Sequence, residues 1–228
     1  MKKLLILTLA VILTVGIASY ALAAGAGAGI TDSPHDFSAT IPTLGGEICR
    51  ICHSPHDHHI AAQNYLNGLL WNHAVTAATF TMYNNAWSTT INGAVAAQPT
   101  GNSKLCLSCH DGTVAVDNFE NHAGGVFALP VYAEIPGFAA GATRDLRGTH
   151  PISIEYNPDS LAGGDGWLKP VTAPMGGSGT IADVLEGDIM QCSSCHDVHD
   201  APIEAVGGTP LLRVDLAGSQ ICLACHVK

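Results

Sequence analysis

The chain of 228 residues carries 9 basic against 19 acidic residues, a net charge of −10, which excludes a nucleic-acid binder, because phosphate contacts require a basic footprint. Charged residues are only 12% and aromatics 6%. Such a chain is neither disordered by charge nor supplied with the large apolar side chains of a conventional core, so something besides side chains is expected to fill the interior.

Residues 1–23 read as a cleaved signal peptide: Lys2 and Lys3, an apolar run from Leu4 to about Ala18, and Ala21-Leu22-Ala23 as a small-residue cleavage site. The run is short for a bilayer span, and no second apolar stretch approaches membrane length. No cysteine precedes Cys49 to carry a lipid anchor. The mature chain, 24–228, is expected to be exported and soluble, with 7 basic against 19 acidic residues and a net charge of −12.

All eight cysteines fall into four pairs, each followed by histidine: Cys49, Cys52 and His53; Cys106, Cys109 and His110; Cys192, Cys195 and His196; Cys222, Cys225 and His226. A disulfide framework or a zinc ribbon would account for the pairs and leave the histidines unexplained. Covalent attachment of c-type haem explains both. The two thiols add to the vinyl groups of one haem, and the next residue binds the iron as proximal ligand. Four haems, I to IV in motif order, are expected, and their apolar faces would serve as core in a chain too short to bury each ring conventionally.

Eight histidines remain: His35, His56, His58, His59, His73, His122, His150 and His199. Only Met82, Met175 and Met190 survive processing, so bis-histidine ligation is better supplied than His/Met. His56 and His199 lie three residues after His53 and His196, on the same face of the turn as those ligands, and neither can close over its own haem. Distal candidates are therefore His35, His56, His73, His150 and His199. Two of His35, His73 and His150 are expected to serve haems I and II, and His199 haem IV, the next site along the chain. His58, His59 and His122 read as ordinary surface histidines, with Asp57-His58-His59 a possible surface metal site.

His35-Asp36-Phe37-Ser38, the run from Cys52 through His53, Ser54 and Pro55 to His56, Leu70-Trp71-Asn72-His73, the run Leu105 to Thr113 and His150-Pro151-Ile152-Ser153, together with the closing pair of haem motifs, span nearly all of the mature chain. In that order they resemble the extracellular multihaem cytochromes of metal-reducing bacteria, particularly the tetrahaem OmcE type. The resemblance implies a mostly irregular fold, loops with short α-helices and little β-structure, wrapped around a chain of stacked haems. It further implies a homopolymer, a head-to-tail filament in which a distal histidine crosses the subunit boundary, with His56 as the donor and haem III of the neighbour as the expected acceptor. Only two residues follow His226, so haem IV is expected to be open in a monomer and covered by a neighbour's haem I.

The expected organisation is a single tetrahaem domain, 24–228, loosely in two halves: 24–157 with haems I and II, and 158–228 with haems III and IV. Leu161–Gly166 and Ala173–Thr180 read as flexible loop, and helices are expected only at the motif turns and in stretches such as 59–70. The expected function is electron transfer, without enzymatic catalysis, in an extracellular or outer-surface filament that takes electrons from other cytochromes and passes them to external acceptors such as metal oxides. The alternative is a monomeric periplasmic tetrahaem shuttle. A multihaem oxyanion reductase is less favoured, because it needs an open iron position and no motif replaces its proximal histidine with lysine.

Overall fold

The computed structural model describes residues 28–54, 71–120, 144–158, 166–199 and 211–227. Most of these are turns and irregular backbone. Four helices occur among them: α1 (Gly101–His110), α2 (Ile181–Val184), α3 (Cys192–Cys195) and α4 (Gln220–Cys225). Sheet is confined to two-residue strands, with β1 (Phe80–Thr81) parallel to β2 (Arg144–Asp145) and β3 (Ile154–Glu155) antiparallel to β4 (Ile189–Met190). No helix among the described residues is long and apolar enough to cross a membrane. The signal-peptide stretch, the predicted helix at 59–70 and His56, His58, His59 and His122 lie outside the described residues.

Three of the helices contain a Cys-x-x-Cys pair, and the first motif forms a bonded turn instead. α2 is additional. Thr180 and Asp183 form a capping box at its start, each side chain meeting the other's backbone N–H. The segment Ala173–Thr180, expected as flexible loop, is a closed turn. Met175 N–H donates to Gly179 O at 2.7 Å, Ile181 N–H donates to Ala173 O at 2.9 Å, and the Met175 side chain is fully buried. One buried methionine outweighs the local glycines.

Among the described residues the buried apolar side chains form three nuclei, each containing residues of a motif. Ile41, Leu44, Ile51, Val116 and Phe119 pack around the first. Phe80, Met82, Tyr83, Leu107, Leu146 and Ile152 pack around the second, with Cys192 of the third at the edge. Tyr156, Met175, Ile181, Val184, Met190 and Cys225 pack around the fourth. Burial of such small groups removes far less apolar area from water than one continuous core.

Polar contacts join the nuclei. α1 lacks a side-chain cap from Thr100, and the Glu186 carboxylate, distant in sequence, accepts from Asn102 N–H at 3.0 Å, placing negative charge at the helix N-terminus. Gly101 sits there at φ +50°, and a Cβ on it would meet Glu186 Oε2 at 2.5 Å. Fully buried Ser103 donates from Oγ to Gln191 Oε1 at 2.6 Å and accepts from Cys192 N–H at 2.9 Å, clamping α1 to α3. The second and third motifs are thereby held side by side, across the boundary between the two sequence halves.

Candidate functional site

The same local bond recurs at three of the motifs. The histidine N–H donates to the first cysteine's carbonyl, from His53 to Cys49 at 2.9 Å, His196 to Cys192 at 3.0 Å and His226 to Cys222 at 2.9 Å. After one helical turn the backbone becomes extended, with φ −109° at His196 and −95° at His226. A single bridge to a distant segment then fixes each histidine: His53 to Trp71, His196 to Leu212 and His226 to Leu168. His110 instead closes helix α1.

No disulfide joins any of the eight cysteines. Burial pushes Cys52 and Cys109 up to about 12 and Cys195 to about 11, so these groups are neutral at ordinary pH. Among the described residues no three of His, Cys, Asp or Glu gather into a cage for a bare metal ion. Successive motifs lie within electrostatic reach of one another. Cys52 acts on Cys109, Cys106 is hydrogen-bonded to Cys192, which holds the Cys106 thiol up, and Cys225 and Cys222 act on Cys195. The four cysteine pairs therefore follow one another in space as they do in sequence.

Three motif histidines each face a histidine from elsewhere. Ring centroids are 6.0 Å apart for His53 and His199, 6.0 Å for His110 and His35, and 6.3 Å for His226 and His150. Two imidazoles sharing one metal, at a metal–nitrogen bond of about 2.0 Å with about 1.1 Å more to each ring centre, are expected about 6.2 Å apart. The three pairs fit that spacing. They also unite what axial ligation of a covalent haem requires: two thiols, a proximal imidazole and a second imidazole per site.

Ring chemistry agrees with the role. His150 Nδ1 lies 3.0 Å from its neighbour's carbonyl, Pro151 O, which selects the tautomer with Nε2 as the lone-pair nitrogen. His35 is pushed down to about 4, chiefly by burial and further by His110 and His196, and so is neutral and able to donate to a metal at pH 7. Its buried Nδ1 has no hydrogen-bond partner among the described residues. His196 is lowered too, by burial first and then by His110.

Two distal expectations differ from what is observed. His199 stands beside His53 of the first motif, whereas the sequence placed it at the fourth. Chain order misled there, because the His199 carbonyl accepts from Gly29 N–H at 2.9 Å and the segment folds back onto the start of the mature chain. The fourth motif receives His150 instead. His73, 2% exposed, has Nδ1 2.8 Å from Ala74 O and Nε2 3.1 and 3.2 Å from Ala115 O and Val116 O. Both ring nitrogens face backbone carbonyls, but burial keeps the ring neutral with a single N–H, so one nitrogen donates, the other keeps its lone pair, and the ring packs beside Cys109, whose Sγ is 3.6 Å away.

Sequence reasoning missed the side chains docked on the motifs. Arg213 Nε donates to Ser193 O at 2.8 Å, inside the third, and Tyr156 Oη donates to Cys225 O at 3.2 Å, inside the fourth. No local pattern announces such contacts; scarcity of basic residues was the only hint. The chain matches no protein-family model and no curated protein.

Proposed function

We propose that the protein transfers electrons through four covalently attached, bis-histidine c-type haems and that it does so as the subunit of an extracellular filament. The observation that carries this reading is the set of three ring pairs at 6.0 to 6.3 Å, each joining a motif histidine to a distant one. In this scheme haem I takes His53 and His199, haem II His110 and His35, and haem IV His226 and His150. Each bound haem supplies a one-electron Fe(III)/Fe(II) couple.

What the chain contributes is position and insulation. The bonded turns fix each proximal imidazole, the clamp between α1 and α3 holds neighbouring sites together, and paired imidazoles leave no open iron position for a substrate. The attachment order supports a continuous path from site I to site IV. Electron transfer needs no more, which favours a conduit over a reductase.

For haem III the second ligand is assigned to His56 of a neighbouring copy. Among the described residues no second ring stands against His196 at ring-pair distance, and His56 cannot turn back over the haem of its own motif. A head-to-tail contact of this kind propagates into an open filament unless its rotation closes a ring. Intact-mass analysis of the secreted protein, with electron microscopy of the same fraction, tests the reading. Four haems per chain in filaments are expected. Fewer than four would overturn the cofactor assignment, and four haems in a protein that stays monomeric would replace the filament with a shuttle.

A further inference from the structure

Among the described residues a cation is docked at each motif. Arg50, within the first, donates from Nε to Glu120 Oε1 at 2.7 Å and from Nη2 to Glu120 Oε2 at 2.5 Å. At the second, Arg144 Nε lies 3.6 Å from Asp111 Oδ2. At the third, Arg213 donates from Nε to Ser193 O at 2.8 Å and from Nη1 to Asp197 Oδ2 at 2.7 Å. Every one of these charges is neutralised where it stands.

The fourth differs. Lys169 is bound to α4 by its backbone and by its side chain: its N–H donates to Cys225 O at 2.8 Å, and its Nζ donates to Leu223 O, between the two cysteines. Tyr156 Oη ties the two segments together, donating to Lys169 O at 2.9 Å and to Cys225 O at 3.2 Å. The described residues place no carboxylate in ion-pair contact with Lys169.

We propose that Lys169 tunes the fourth site, raising its reduction potential and favouring an electron there. The inference rests on the four-haem reading above. Reduction adds an electron, so a nearby positive charge stabilises the reduced state and raises the potential, whereas a charge already paired with a carboxylate has little net effect. Lys169 is partly buried, and salt screens it less than a fully solvated lysine.

The test is a spectroelectrochemical titration of the intact secreted protein and of its Lys169→Gln and Lys169→Arg variants, after intact mass has established haem content. Gln keeps a donor for Leu223 O and removes the charge; Arg keeps the charge. One of the four midpoint potentials is expected to fall in Lys169→Gln, with the other three unchanged, and to be retained in Lys169→Arg. Four unchanged potentials in Lys169→Gln, or equal shifts in both variants, would overturn the proposal, while a wild-type protein with fewer than four haems would overturn the underlying reading instead. If Lys169→Gln does not load its fourth haem, Lys169→Leu decides in its place: one potential is expected to fall relative to the wild type, and four unchanged potentials overturn the tuning role.

Discussion

The imidazole of His53 lies 6.0 Å from that of His199, their planes inclined by 29°, although one belongs to the first Cys-x-x-Cys-His motif and the other follows the third. The start of the mature chain and its last third are thus joined at a single candidate iron site. Substituting His199 by Met changes one ligand of haem I, and a thioether ligand raises the potential. One of four components in a potentiometric titration is expected to move upward. Four unmoved components would show that the two rings do not share an iron.

His73 separates structure from ligation. With one ring N–H donating to a buried carbonyl, His73→Phe is expected to leave every haem low-spin while lowering stability by about 1 kcal/mol, the loss of that buried hydrogen bond. Denaturant unfolding measures the second quantity and electron paramagnetic resonance the first. Conversion of one haem to high spin by this substitution would restore His73 as a ligand.

Acid should act on the site late. The folded chain holds His35 at about 4, against 6.5 for the free side chain. Between those values the unfolded chain binds a proton that the folded one refuses, so stability from this group is intact above about 6.5 and is lost as pH falls toward 4. Iron bound at the ring adds to that resistance, so the low-spin spectrum is expected to hold from pH 7 to pH 5 and to give way only at pH 4 or lower, where a proton displaces the metal from His35. A change complete by pH 6 would mean that this ring is not buried as described.

Much of the proposed site is legible in sequence because the attachment it proposes would be local. Cys49, Cys52 and His53 must be neighbours, and their order declares the chemistry. The distal partners are not local. His150 reaches His226, and His199 reaches His53, through backbone contacts such as Gly29 N–H to His199 O that no spacing encodes. In the fold, sparse large apolar residues signalled the absence of a single core, and the three small nuclei are its form. Thr180 and Asp183 do spell a capping signal before α2, but the glycines around Met175 concealed it.

Assembly depends on His56 in the proposed scheme. His56→Ala is expected to give a secreted four-haem protein that does not polymerise and has one five-coordinate or water-ligated iron, seen by electron microscopy and spin-state spectroscopy of the same preparation. Normal filaments with every haem still bis-histidine would remove His56 from the interface.

The account as a whole rests on paired imidazoles at every site, and electron paramagnetic resonance of the fully oxidised, assembled protein, quantified against its haem content, tests it most directly. Four low-spin haems per chain and no high-spin signal are predicted. A high-spin fraction near one quarter in intact assemblies would contradict it, because one iron would then have an open position and the protein would be equipped for chemistry on a bound substrate.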